Sequence, residues 1–200
     1  MSLRRYGLLV ASFIFVFAGT AKADTVSVDG TYHFASNGYG IPPYGGTLNG
    51  QSQAFYCVDF SHPIQAGNTW NVTITSLTGS NFSSTRFGNQ STYLAMAWLI
   101  TQMMGTTNQL QIAKDQFAIW SFTGGPNPYG TNSALVAAAF AAVTAGFTGQ
   151  GWAILTPTGS VGQEFFIMVP EPTVLLMLIV GLFVMGVATR TRRVAGVHAP

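Results

Sequence analysis

Cys57, inside the run Phe55-Tyr56-Cys57-Val58-Asp59-Phe60, is the single cysteine of a 200-residue chain. Exported proteins ordinarily keep their cysteines oxidised in pairs, so one left over either bridges to another chain or carries reactivity of its own. The ends of this chain, read below, are those of an exported protein. A second residue stands out by its neighbours. On a helical wheel, Leu110, Ile112, Ala113, Phe117, Ile119 and Trp120 share one broad apolar face, and Gln116 falls in its middle. A primary amide there is costly unless it is hydrogen-bonded or has been consumed by chemistry. Two proton-handling groups follow the thiol. Asp59, two residues on, shares Cys57's face if the strand continues, and His62 comes at the strand's end. Either could act as base or relay; a hydrogen-bonded strand-end carboxylate and a solvated histidine before Pro63 are the plainer readings.

These residues need a sheet and a helix to hold them. Thr25 to Phe34 alternates polar and apolar residues, Ser52 to Phe60 reads as a second strand, and Thr69 to Leu77 as a third rich in β-branched residues. The segment SNGYGIPPYGG between the first two carries Gly and Pro at turn spacing and reads as a loop. Helix formers then take over. Thr92 to Met104 ends at Gly105, Asn108 caps a helix running to about Phe122, and Ser133 to Ala145 ends at Gly146. Gly124-Gly125-Pro126 reads as a helix stop and turn. Strand signals return at Trp152 to Leu155 and Val161 to Val169. Strands, a block of about three helices, then strands again predict an α+β domain, with the helices packed to one side of an antiparallel sheet.

Phe55-Tyr56-Cys57-Val58 and Gln116-Phe117-Ala118-Ile119-Trp120, 59 residues apart from Cys to Gln, resemble the two signatures of bacterial thioester domains, which occur in surface adhesins. Asp115 precedes the Gln where an uncharged residue is expected. The resemblance implies that Cys57 and Gln116 condense with loss of ammonia to an internal thioester, opened later by an amine or hydroxyl on a target surface. It implies an attachment protein rather than an enzyme. Phe55, Phe117 and Trp120 would wall such a bond from water, and Asp59 or His62 would serve as base or relay. The plainer reading stays open: Cys57 fills a core and Gln116 hydrogen-bonds the facing sheet.

The ends read as addresses. Arg4 and Arg5 precede an apolar run from Tyr6 to Ala18, and Ala21-Lys22-Ala23 offers the small-x-small pattern cut by signal peptidase, which makes residues 1–23 a signal peptide. At the other end Pro170-Glu171-Pro172 is followed by seventeen uncharged residues, Thr173 to Thr189, and by Arg190, Arg192 and Arg193. Such a stretch is just long enough to cross a membrane, with the basic residues on the cytoplasmic side and residues 194–200 as a tail there. Motif, apolar helix and basic cluster over residues 169–193 resemble the PEP-CTERM sorting signal of Gram-negative, exopolysaccharide-producing bacteria. That resemblance implies an exosortase as processing partner, transient residence in the inner membrane, and delivery of residues 24–168 to the cell surface or extracellular matrix.

Between the two addresses the charge balance changes sign. Residues 24–168 hold Arg86 and Lys114 against Asp24, Asp29, Asp59, Asp115 and Glu164, two against five, a net of three negative charges with His neutral. Without a basic patch to neutralise phosphates, a nucleic-acid partner is not expected. His33 and His62 show no metal-ligand spacing with the acids, so neither metal nor cofactor is expected. The alternative to covalent attachment is a noncovalent structural or carbohydrate-binding component of the exopolysaccharide matrix, using aromatics such as Tyr39, Tyr44 and Tyr129.

Overall fold

A computed structural model of the chain describes residues 23–169, 178 and 180–183. Strands β1 (Asp24–Val28), β2 (Phe34–Ser36), β3 (Tyr39–Ile41), β4 (Tyr44–Leu48), β5 (Gln51–Cys57) and β6 (Thr69–Ser76) come first. Helices α1 (Gln90–Met104), α2 (Gln109–Trp120) and α3 (Asn132–Thr144) follow, with a 3-10 turn Ser121–Thr123 continuing α2, and then β7 (Trp152–Pro157) and β8 (Phe165–Met168). The α+β expectation holds at this level. The sheet, however, is not an open layer with helices on one side: β1-β4-β5-β8-β7-β6 closes into an antiparallel barrel, and β2 pairs with β3 apart from it. Closure gives each barrel strand a partner on both sides, which no single strand pattern announces.

The register sorts the aromatics into two faces. Directly paired residues lie on one side of a sheet, so Cys57 goes with its partner Phe165, and Val26 with Trp70. Phe165 stacks on Phe55 with ring centres 5.2 Å apart and on Trp70 at 5.8 Å, which joins both pairs inside the barrel. Tyr56 pairs with Phe166 on the opposite face, where Phe166 meets Tyr93 of α1 edge-on at 6.0 Å. Tyr93, Ala95, Met96, Ala97, Leu99, Ile100 and Met103 form the buried side of α1, which packs against both α2 and α3. α2 is buried at Ile112, Ala113 and Asp115 to Trp120, whereas α3 buries only Asn132 and Ala139.

The helix boundaries follow the capping chemistry. Asn89 accepts from the Ser91 amide at 2.9 Å, and Asn108 from Leu110 and Gln111 at 3.0 and 3.3 Å, each satisfying amides that a first turn leaves free. After the 3-10 turn, Gly124 takes a left-handed φ of +79°, which stops the helix there.

The strand boundaries depart from the sequence reading in four places, the first being that the strand read over Ser52 to Phe60 ends at Cys57. The stretch Thr25 to Phe34 is broken after Val28 by a turn in which the Asp29 carboxylate accepts from the amide and hydroxyl of Thr31, at 2.8 and 2.6 Å. The loop read in SNGYGIPPYGG contains β3 and the start of β4. Its glycines are not turn formers alone: a Cβ on Gly46 would run into the Ser27 carbonyl of β1, and one on Gly45 into Thr31 and Asp29. The last strand keeps only Phe165–Met168 of the stretch Val161 to Val169, because Gly162 turns the chain over the Trp70 ring.

The signal peptide, Ala21 of its cleavage pattern, Pro170-Glu171-Pro172, most of the apolar stretch 173–189 and the basic terminus lie outside the described residues. Residues 178 and 180–183 are helical. Among the described residues no helix is long and apolar enough to cross a membrane.

Candidate functional site

Cys57 ends β5, and the chain beyond it leaves the sheet, so Asp59 is a loop residue rather than the next step along a strand. Cys57 is 1 % exposed, and its sulfur meets α2 at that helix's C-terminal end. The Trp120 indole N–H donates to Sγ at 3.1 Å, and one turn earlier the Gln116 Nε2 donates to the Cys57 main-chain carbonyl at 2.9 Å. Gln116 is wholly buried, and among the described residues its Oε1 has no hydrogen-bond partner. The thiol in turn reaches the Asp59 carbonyl at 3.5 Å. The two residues singled out from the sequence therefore meet in one dry site.

Burial pushes the Cys57 thiol up to about 12, against the opposite pull of the Trp120 and Gln163 donors and the Arg86 charge. At neutral pH the group is an S–H, and any attack by its sulfur must be coupled to proton removal. Asp59, itself 1 % exposed, commits its carboxylate elsewhere: it is ion-paired with Arg86, lies 2.7 Å from Nδ1 of the half-exposed His62, and accepts from the Ser61 amide at 3.0 Å. Asp59 and His62 are thus brought together one step from the thiol, with the Asp59 main chain as the direct contact.

The expected walls divide in the same way. Trp120 touches the sulfur. Phe117 packs edge-on against Trp120 at 5.2 Å and against Tyr39 at 5.9 Å, while Phe55 stacks beneath on Phe165, the residue paired with Cys57. Of the aromatics considered for noncovalent binding, Tyr39 is 39 % exposed, Tyr44 donates to the Gly40 carbonyl at 2.6 Å, and the Tyr129 hydroxyl is within 2.6 Å of Ser36 Oγ.

Sequence reasoning missed three residues here. Gln163 donates its amide to the Asp59 carbonyl, and its Oε1 has no partner among the described residues. Arg86 reaches Asp59 and His62 and also donates to the Gly162 carbonyl at 2.6 Å. Glu164, wholly buried, accepts from Tyr93 and Thr156, both at 2.6 Å, and from the Arg86 amide at 3.3 Å. A signal for Arg86 and Glu164 did exist: each is among the few charges left between the two addresses. Gln163 carried none. Asp115, adjacent to Gln116, is 1 % exposed and faces Gln111, whose amide donates to it at 2.9 Å; burial raises its carboxyl to about 6.

Among the described residues no three His, Cys, Asp or Glu side chains gather as metal ligands would. Compared with models of protein families, with curated proteins and with solved structures, the chain matches none.

Proposed function

We propose that the chain is an exported bacterial surface or matrix protein whose Cys57 and Gln116 form an internal thioester for covalent attachment. One observation carries the reading: the Gln116 carboxamide is held at the Cys57 backbone, wholly buried, while an N–H donor sits on the sulfur. In the condensation the Cys57 sulfur bonds to the Gln116 acyl carbon, the C–N bond breaks, and the thiol proton leaves with the nitrogen as ammonia. The apolar walls then keep water from the activated acyl group. Attack by an amine or hydroxyl breaks the C–S bond, returns a proton to sulfur and leaves the target bound to residue 116. Each molecule acts once, as a reagent. Export by signal peptidase and release by an exosortase complete the proposal and rest on the terminal motifs alone.

The noncovalent matrix component is the second reading. It draws on the same hydrogen bond, which by itself satisfies half of the buried amide as a clasp between β5 and α2.

Intact mass separates the two. The purified chain is expected to weigh one ammonia less than its termini require, to resist thiol alkylation until denatured only in the fraction lacking the bond, and to take up methylamine stoichiometrically at residue 116. Cys57→Ala and Gln116→Ala should each abolish both the deficit and the adduct. A full sequence mass with no methylamine uptake would leave the clasp.

A further inference from the structure

A cavity of about 540 Å³ opens beside Trp120. Tyr32, Tyr39, Tyr44, Phe60 and Trp120 contribute its aromatic wall. Three of these rings pack on one another, Tyr39 with Phe60 at 5.3 Å, Tyr39 with Trp120 at 5.8 Å and Phe60 with Trp120 at 5.5 Å, so the wall is held in place rather than free to collapse. Trp120 belongs to both sites: its ring lines the cavity and its N–H holds the Cys57 sulfur. Gln163 lines the cavity too, 5 % exposed, with an Oε1 that no described residue satisfies.

These features select an occupant. Among the described residues no charged side chain lines the cavity, so a charged ligand would lose its hydration without compensation. A purely apolar ligand would leave the Gln163 acceptor unpaired, which also costs free energy. What fits is an uncharged molecule that presents an apolar face to aromatic rings and hydrogen-bond donors at its edge. A hexose ring does both, with its C–H face on the wall and its hydroxyls toward Gln163 and Gln65. The volume lies in the ordinary range for small-molecule sites.

We propose that this cavity is an acceptor site for a neutral glycan. The transfer step rests on the thioester reading; the binding does not. In that step a sugar hydroxyl oxygen attacks the Gln116 acyl carbon, the bond to the Cys57 sulfur breaks, the hydroxyl proton ends on that sulfur, and an ester joins glycan to residue 116.

The test uses the full chain purified in mild detergent, with tryptophan fluorescence, to which Trp120 is one of four contributors, as the optical signal. Cellohexaose, maltohexaose and laminarihexaose are titrated against tryptophan fluorescence, with hexagalacturonate as the charged comparison. At least one neutral oligosaccharide should give a saturable change, hexagalacturonate none, and Tyr39→Ala and Gln163→Ala should each weaken binding about tenfold or more. Tyr39→Ala should keep the ammonia deficit and methylamine uptake, which reports intact folding independently of the glycan, whereas Gln163→Ala, which removes a donor beside the thiol, is read by glycan binding alone. Cys57→Ala should bind the same oligosaccharide but form no adduct with it. Absence of saturable binding by all three neutral sugars, a preference for hexagalacturonate, or unaltered affinity in both variants would overturn the proposal. Saturable binding in a wild-type chain of full mass would remove the transfer step and the thioester reading while the glycan site stood.

Discussion

The Cys57 thiol is held back by its surroundings rather than activated by them. Burial raises it to about 12, and the only charge among the pulls in the other direction is Arg86, which is already engaged by Asp59. The Trp120 N–H donates to the sulfur at 3.1 Å, and a donor there gains most when the sulfur leaves as an anion. Trp120→Phe keeps an aromatic wall and removes that donor. In the thioester reading this variant should keep its ammonia deficit while methylamine uptake slows by between about tenfold and a hundredfold, the worth of a hydrogen bond to a charged group. An unchanged rate would remove Trp120 from the chemistry. Asp115 gives a second test at this scale. Its carboxyl is raised from 3.8 to about 6, so the folded state favours the protonated form: the stability it permits is complete below pH 4 and is lost as pH rises through 6. The difference in unfolding free energy between Asp115→Asn and wild type should therefore grow by about 2 kcal/mol across that window. A difference that stays flat with pH, measured by denaturant titration, would show the carboxylate is solvated. Cys57 and Gln116 were legible in the sequence because one is unique and the other breaks an apolar face. Gln163 was not, because its meaning depends on the Asp59 carbonyl 104 residues away.

At the scale of elements the helices were easier to read than the strands. Asn89, Asn108 and Gly124 act through bonds within a few residues of themselves, so local chemistry places the ends of α1 and α2. The strands answer to distant partners. Gly45 and Gly46 look like turn residues, yet they are strand residues whose missing side chains let β1 and the turn after it lie close. The barrel follows from β1 pairing with both β4 and β6, a non-local choice no single strand pattern contains. Gly46→Ala would drive a methyl group into the Ser27 carbonyl and against the Phe55 ring. Overpacking of this kind should cost about 3 kcal/mol. Because Phe55 stacks on the residue paired with Cys57, the same variant should also open the Cys57 site at lower denaturant than in wild type, to methylamine where the thioester is formed and to alkylation where the thiol is free. Stability unchanged in a denaturant titration would mean that β1 and β4 part more easily than this register implies.

At the scale of the whole molecule, the sorting proposal meets a fold that tolerates it. The first barrel strand begins at Asp24, directly after the expected signal-peptidase site, where Ala23 is exposed; the last ends at Met168, and the Val169 amide still bonds the Gly151 carbonyl at 2.8 Å. Cuts after Ala23 and near Pro170-Glu171-Pro172 would remove no barrel strand and none of the residues around Cys57. They would also reverse the net charge, since six of the eight Lys and Arg lie in the two addresses. The chain produced in a host with an exosortase should accordingly lose the segment carrying Arg190, Arg192 and Arg193 and leave the membrane fraction. In a host without one it should stay in that fraction, held by the apolar stretch, with its barrel outside and its basic terminus cytoplasmic. Fractionation with one epitope inserted at the exposed Gly159 turn and another at the C-terminus follows both halves at once. Surface-released protein still carrying the C-terminal epitope would overturn exosortase processing. The barrel epitope in the membrane fraction of both hosts would mark the tail as an ordinary anchor.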